Sequence, residues 1–162
     1  MPSRRSPLVV LVVGLTLLVL SACEKPAPSA TVFSGSNSEH REAICWSFEP
    51  DRGVEKDDCS LDLERQPADE VAQALLDEIA VIPTTPGETV GISVDPSVAE
   101  NGWVVSINGR SLTREPVTDK YFRFTMPPGP LLRGDAQLVI TAFTENGAQV
   151  RGSWIFGLSE AG

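Results

Sequence analysis

Apolar and polar residues alternate through most of the second half of the chain. Val90, Ile92 and Val94 share one side of Thr89–Val94, the period-two pattern of a half-buried strand. Asp95-Pro96 ends that run. Trp103–Ile107 follows and stops at Asn108-Gly109, a strong hairpin-turn signal. In Tyr121–Met126, Phe122, Phe124 and Met126 point one way and Tyr121, Arg123 and Thr125 the other. Pro127-Pro128-Gly129-Pro130 must be irregular. Gln137–Thr144 and Gln149–Leu158 flank Asn146-Gly147, which predicts a hairpin tip; Val150, Trp154, Phe156 and Leu158 share one parity. Nearer the start, Thr31–Phe33 and Ala43–Phe48 read as short strands around a Ser34–Ser38 loop. Glu49–Cys59 is polar, holds Pro50 and Gly53, and reads as a loop.

Only one stretch has helical period. Val71, Leu75 and Ile79 recur every four residues, with Ala72 and Leu76 beside them and Asp69, Glu70, Gln73, Asp77 and Glu78 opposite. Pro67 suits the first helical position, Asp69 and Glu70 suit the positive helix start, and Pro83 stops the helix. About seven short strands with regular turn signals and one short helix predict a mainly β fold. The expected architecture is an antiparallel immunoglobulin-like β-sandwich with the helix at an edge or end. No internal repeat is visible.

The N-terminus departs from this pattern. Arg4 and Arg5 precede an apolar run from Leu8 to Leu20, 13 residues long and interrupted by Gly14 and Thr16. A membrane-spanning helix needs about 20 apolar residues, so the layout is that of a secretory signal peptide. Leu20-Ser21-Ala22-Cys23 resembles the lipobox of bacterial lipoproteins. That resemblance implies cleavage before Cys23 and a diacylglyceryl group on its thiol. The expected organisation is a signal peptide at 1–22, lipidated Cys23 with a short tether at 23–30, and one β-sandwich domain at 31–162. Glu24-Lys-Pro-Ala-Pro-Ser-Ala30 cannot build a core. At ~3.1 Å per residue it lifts the domain by at most ~20–25 Å. The expected location is the extracytoplasmic face of the plasma membrane, and a diacyl group supplies the two chains that stable anchoring requires.

Charge narrows the partners. The whole chain has 13 basic and 22 acidic residues. Removing 1–22 takes away Arg4 and Arg5 and no acid, so 11 basic against 22 acidic residues leave a formal charge of −11. Such a surface repels nucleic acid and lacks the polybasic segment that draws proteins to anionic membranes. Of the 3 cysteines, Cys23 is assigned to lipid. Cys45 and Cys59 then form an even pair in an oxidising compartment, with neither Cys-x-x-Cys spacing nor a second histidine to suggest redox or zinc chemistry. A structural disulfide closing 13 intervening residues is expected, contributing roughly 3 kcal/mol by loop entropy.

Further residues carry a family resemblance. Leu20-Ser21-Ala22-Cys23-Glu24-Lys25-Pro26, Gly87-Glu88-Thr89-Val90 leading to Ser93-Val94-Asp95-Pro96, Gly102-Trp103, Tyr121-Phe122-Arg123 and Gly152-Ser153-Trp154-Ile155-Phe156 occur in that order. The chain resembles a family of small actinobacterial lipoproteins known as a domain of unknown function. Order and spacing carry the likeness across nearly the whole chain. It implies an exported, lipid-anchored, β-rich domain and brings no catalytic residue with it.

Candidate chemistry is sparse. His40 is the single histidine and is expected in a polar loop, Ser38-Glu39-His40-Arg41. A Ser-His-Asp hydrolase would have to use it, but no Gly-x-Ser-x-Gly elbow occurs. Blue copper needs two histidines and a thiolate, which this chain does not offer. Asp57, Asp58, Asp62 and Glu64 could supply hard oxygen ligands to calcium, but their spacing is not that of a calcium loop. Phosphate-binding glycine loops are absent. Trp46, Trp103 and Trp154 each fall in a predicted strand and are expected in the core; Trp103, after Asn101-Gly102, is the candidate for an exposed aromatic at a rim. No catalytic residue, metal ligand or cofactor is therefore assigned. The expected function is a non-enzymatic binding or accessory module of the cell envelope, held to the plasma membrane through Cys23 and engaging an envelope protein. The alternative is a small-ligand or calcium-binding lipoprotein.

Overall fold

A computed structural model describes residues 25–59, 79–127 and 136–161. The expected signal peptide at 1–22, Cys23 and the amphipathic helix expected from Pro67 lie outside these residues, apart from Ile79. Among the described residues no helix is long and apolar enough to cross a membrane.

Two sheets enclose one core. The first has the order β2-β1-β5-β8, built from β1 (Ser29–Ser34), β2 (Asn37–Glu42), β5 (Thr89–Val94) and β8 (Tyr121–Thr125), all antiparallel. The second contains β3 (Cys45–Trp46), β4 (Ala80–Thr84), β6 (Trp103–Ile107), β7 (Arg110–Ser111), β9 (Ala136–Phe143) and β10 (Val150–Glu160). Its order is β7-β6-β9-β10, and β10 has two partners in succession on its other side. Antiparallel β3 pairs with Gly152 and Ser153; parallel β4 pairs with Phe156–Glu160. The fold is thus mainly β, with two sheets compatible with a β-sandwich.

The alternating strands behave as their patterns require. Val32, Val90 and Ile92 from the first sheet meet Val105, Ile107, Leu138, Ile140, Trp154, Phe156 and Leu158 from the second in a single buried cluster. Removing such branched and aromatic side chains from water is the dominant stabilising term. Two polar contacts tie the strands into this core. Asp95 Oδ2 accepts from the Ser29 backbone N–H at 2.7 Å and from its hydroxyl at 3.0 Å, fastening the start of β1 to the end of β5. The buried Ser34 and Thr84 hydroxyls meet at 2.9 Å, joining β1 of one sheet to β4 of the other. Asp95-Pro96 ends β5 as expected, and a single helical turn, α1 (Pro96–Ala99), follows. Asn108 and Gly109 both have positive φ, 48° and 76°, as a two-residue hairpin turn demands.

Four expectations need correction. Ser38–Arg41 is not loop but part of β2, paired along its length with β1; the real turn is Gly35-Ser36, with Gly35 at φ 55°. The strand expected at Ala43–Phe48 shrinks to Cys45–Trp46. Ala80–Thr84, assigned to a helix end and its Pro83 stop, is a strand: β4 lies at a sheet edge, where a proline without N–H is tolerated. Val150 does not share the interior side of Trp154, because the register slips between Val150 and Gly152 and turns Val150 outward. β1 also begins two residues before Thr31, so Ser29 and Ala30 belong to the sheet, and Ala30 is buried.

Candidate functional site

Cys45 and Cys59 are joined in a disulfide. The loop they close is organised by Arg52. Its guanidinium reaches Glu49 at 3.4 Å, Glu55 at 3.4 Å and Asp58 at 3.0 Å. Asp58 also accepts from the Glu55 backbone N–H at 2.8 Å. Burial pushes the Asp58 carboxyl up, but the Glu55 N–H and Arg52 together hold it below its ordinary value. Arg52 is raised in turn, first by its hydrogen bond to Asp58. Asp58, one of the candidate calcium ligands, therefore has both oxygens engaged inside the loop; Asp62 and Glu64 lie outside the described residues. The loop rides on the β9–β10 hairpin: Val54 N–H donates to Val150 C=O at 2.8 Å, Glu145 N–H to Pro50 C=O at 3.0 Å and Gly53 N–H to Gln149 Oε1 at 3.0 Å.

All three tryptophans are buried. For Trp103 this is a correction. It is the first residue of β6, its ring meets Phe122 edge-on at 6.2 Å, and its indole N–H donates to Asp119 C=O at 2.9 Å. With its body in the core and its one polar atom satisfied, it offers nothing at a rim. Trp154 likewise donates to Pro28 C=O at 3.1 Å.

One exposed aromatic, Tyr121, lies elsewhere, on the outer side of the first sheet. Pairing places His40, Thr31, Ser93 and Tyr121 in one row across β2, β1, β5 and β8, and Ser38, Phe33, Gly91 and Arg123 in the next. Phe33 and Tyr121 lie nearly parallel, interplanar angle 16°, with centroids 6.0 Å apart. Tyr121 remains 47% exposed. Gly91 makes this arrangement possible, since a Cβ there would overlap the Phe33 ring. His40 Nδ1 shares a hydrogen with Thr31 Oγ1 at 3.0 Å. The His40 ring thus borders the aromatic pair, and among the described residues no carboxylate hydrogen-bonds to it. The face combines two apolar rings, three hydroxyl residues, an imidazole and a guanidinium on rigid strands. That mixture suits recognition of a polar surface with apolar patches. The outward parity of Tyr121 and Arg123 was readable in the sequence. An isolated glycine inside an alternating strand was the further signal, marking close approach by another group.

No family model matches the chain, and no curated protein matches it.

Proposed function

We propose that the chain is an extracytoplasmic lipoprotein, anchored through lipid on Cys23, whose domain is an immunoglobulin-like, non-enzymatic binding module of the cell envelope. The strand order supports the immunoglobulin-like reading. β1-β5-β8 opposite β7-β6-β9-β10 corresponds to A-B-E opposite C′-C-F-G, and Trp103 is a buried tryptophan on the C-equivalent strand. The observation that carries the binding role is the Phe33–Tyr121 pair, displayed over Gly91 and surrounded by polar side chains. A large ring held in place by its neighbours loses little entropy on binding, and such residues anchor interfaces. The working face is therefore the outer side of the first sheet.

Crosslinking the native lipoprotein in cells, followed by mass spectrometry, tests this reading. One envelope protein enriched over an unrelated lipid-anchored control, and lost on Tyr121→Ala, is the expected result. Equal recovery from wild type, Tyr121→Ala and the control rejects it.

A further inference from the structure

The chain carries 22 acidic residues against 13 basic ones, yet among the described residues one buried cation, Arg151, has no carboxylate within salt-bridge distance. Arg151 is only 8% exposed. It is the extra residue where the β9–β10 register slips, and bulges re-aim side chains in this way. Its Cζ lies 4.5 Å from the centroid of the Trp46 ring, and its Nε donates to Ser47 C=O at 3.2 Å. The Ser47 N–H donates to Arg151 C=O in return, at 2.9 Å. Gly152 has no Cβ, and one would overlap the Trp46 ring. Backbone, ring and glycine thus hold the guanidinium in one orientation. Among the described residues nothing accepts from Nη1 or Nη2, and neither is a fully buried unsatisfied atom. Burial pulls the Arg151 pKa down, opposed by the charge of Glu100. Arg52, by contrast, gathers three carboxylates. A desolvated cation without a counter-ion is costly, and a bound anion offsets that cost. A fixed guanidinium fork matches a phosphate or carboxylate oxygen pair.

Position selects among anions. Pro28 C=O is held by the Trp154 indole and by the Ala43 N–H at 2.9 Å. Trp154 packs on Trp46 at 5.8 Å between centroids, and Trp46 carries Arg151. The guanidinium therefore sits at the end of the domain where the chain arrives from Cys23. Only residues 24–27 separate Cys23 from the fixed Pro28, a reach of ~13 Å at ~3.1 Å per residue. In the chain, Phe48 follows Ser47 and Val150 precedes Arg151; Phe48 is 50% and Val150 39% exposed.

We infer that Arg151 is a receptor for a phosphodiester of the lipid headgroups, with Phe48 and Val150 seated in the interface beside it. The choice of headgroup as source rests on the anchoring reading above. The tether supplies the effective concentration that one cation on an acidic domain lacks.

The test uses mature protein extracted from membranes, labelled with 15N-arginine, after intact mass has reported the modification of Cys23. The Arg151 Nε–H signal is followed in phosphate-free maltoside micelles during titration with glycerophosphoglycerol, inorganic phosphate or acetate. It is then compared between nanodiscs of phosphatidylcholine containing phosphatidylglycerol and nanodiscs of a phosphate-free galactolipid. The expected result is a shift with glycerophosphoglycerol and the same shift in phospholipid nanodiscs, with none in galactolipid or with acetate. Arg151→Lys removes the signal itself and so assigns it to Arg151. Phe48→Ser, at an exposed site, weakens the nanodisc shift and leaves the micelle titration unchanged. A shift with soluble phosphates but none in phospholipid nanodiscs, Cys23 being acylated, overturns the headgroup as source. Missing acyl mass overturns the anchoring reading while the micelle titration still reads the receptor. No shift under any condition overturns the receptor itself.

Discussion

Gly91 and Phe33 show how one missing methyl group positions a surface. The Phe33 ring lies where a Cβ on Gly91 would stand. Gly91→Ala must therefore displace the ring, costing about 1–3 kcal/mol as overpacking does. In a denaturant-unfolding cycle with Phe33→Ala, most of that cost should vanish, because the obstructing ring is gone; additive costs would mean that the two residues do not oppose each other. Thr84 makes a second residue-scale case. Replacing it with valine preserves shape and strands the buried Ser34 hydroxyl, so about 1–3 kcal/mol should be lost in the same measurement. Asp58 sets a pH dependence. A carboxyl whose folded-state pKa lies below its unfolded value stabilises the fold above that value, about 3.9, and this stabilisation fades as pH falls through the folded pKa. Thermal melts of Asp58→Asn should accordingly differ from wild type at neutral pH and converge on it in strong acid. Trp103 was misjudged from its neighbours: Asn101-Gly102 marks a turn, but turn chemistry does not say which way the next residue points.

Elements built on strict alternation were legible because period two and a buried side leave one solution. β5, β6, β8 and β9 appear within a residue or so of their expected limits. β2 was not legible: Asn37–Glu42 has no apolar residue and is exposed along nearly its whole length, so only its backbone pairing with β1 makes it a strand. β4 was hidden by Pro83, which breaks a central strand but not an edge one. The bulge at Arg151 has no signature in composition, and it alone turns Val150 outward and Arg151 in. The disulfide was legible once the lipobox-like run set Cys23 aside, which left Cys45 and Cys59 as an even pair. It pins two-residue β3 to the loop that rides on β9–β10. Cys45→Ser with Cys59→Ser should cost roughly 3 kcal/mol of loop entropy, read as a lower denaturant midpoint. Unchanged stability would mean that the Arg52 cluster holds the loop unaided.

Across the whole molecule, the two sheets give the domain distinct surfaces. The chain arrives at the end bearing Pro28, Trp46 and Arg151. The outer side of β2-β1-β5-β8 presents Phe33 and Tyr121 away from the second sheet. Under the proposed anchoring, a domain seated by its first end on the membrane would leave this side open to a neighbour in the envelope. The mainly β class was legible from about seven turn-bounded patterns, whereas the proposed binding face was not, because it depends on which strands become neighbours. Photo-crosslinking in living cells tests the central claim most directly, with a benzoylphenylalanine at position 121 and, as control, at exposed position 110 on β7 of the opposite sheet. The account predicts one reproducible envelope adduct from position 121 and none from position 110. Equal adducts from both positions, or none from position 121, would contradict it.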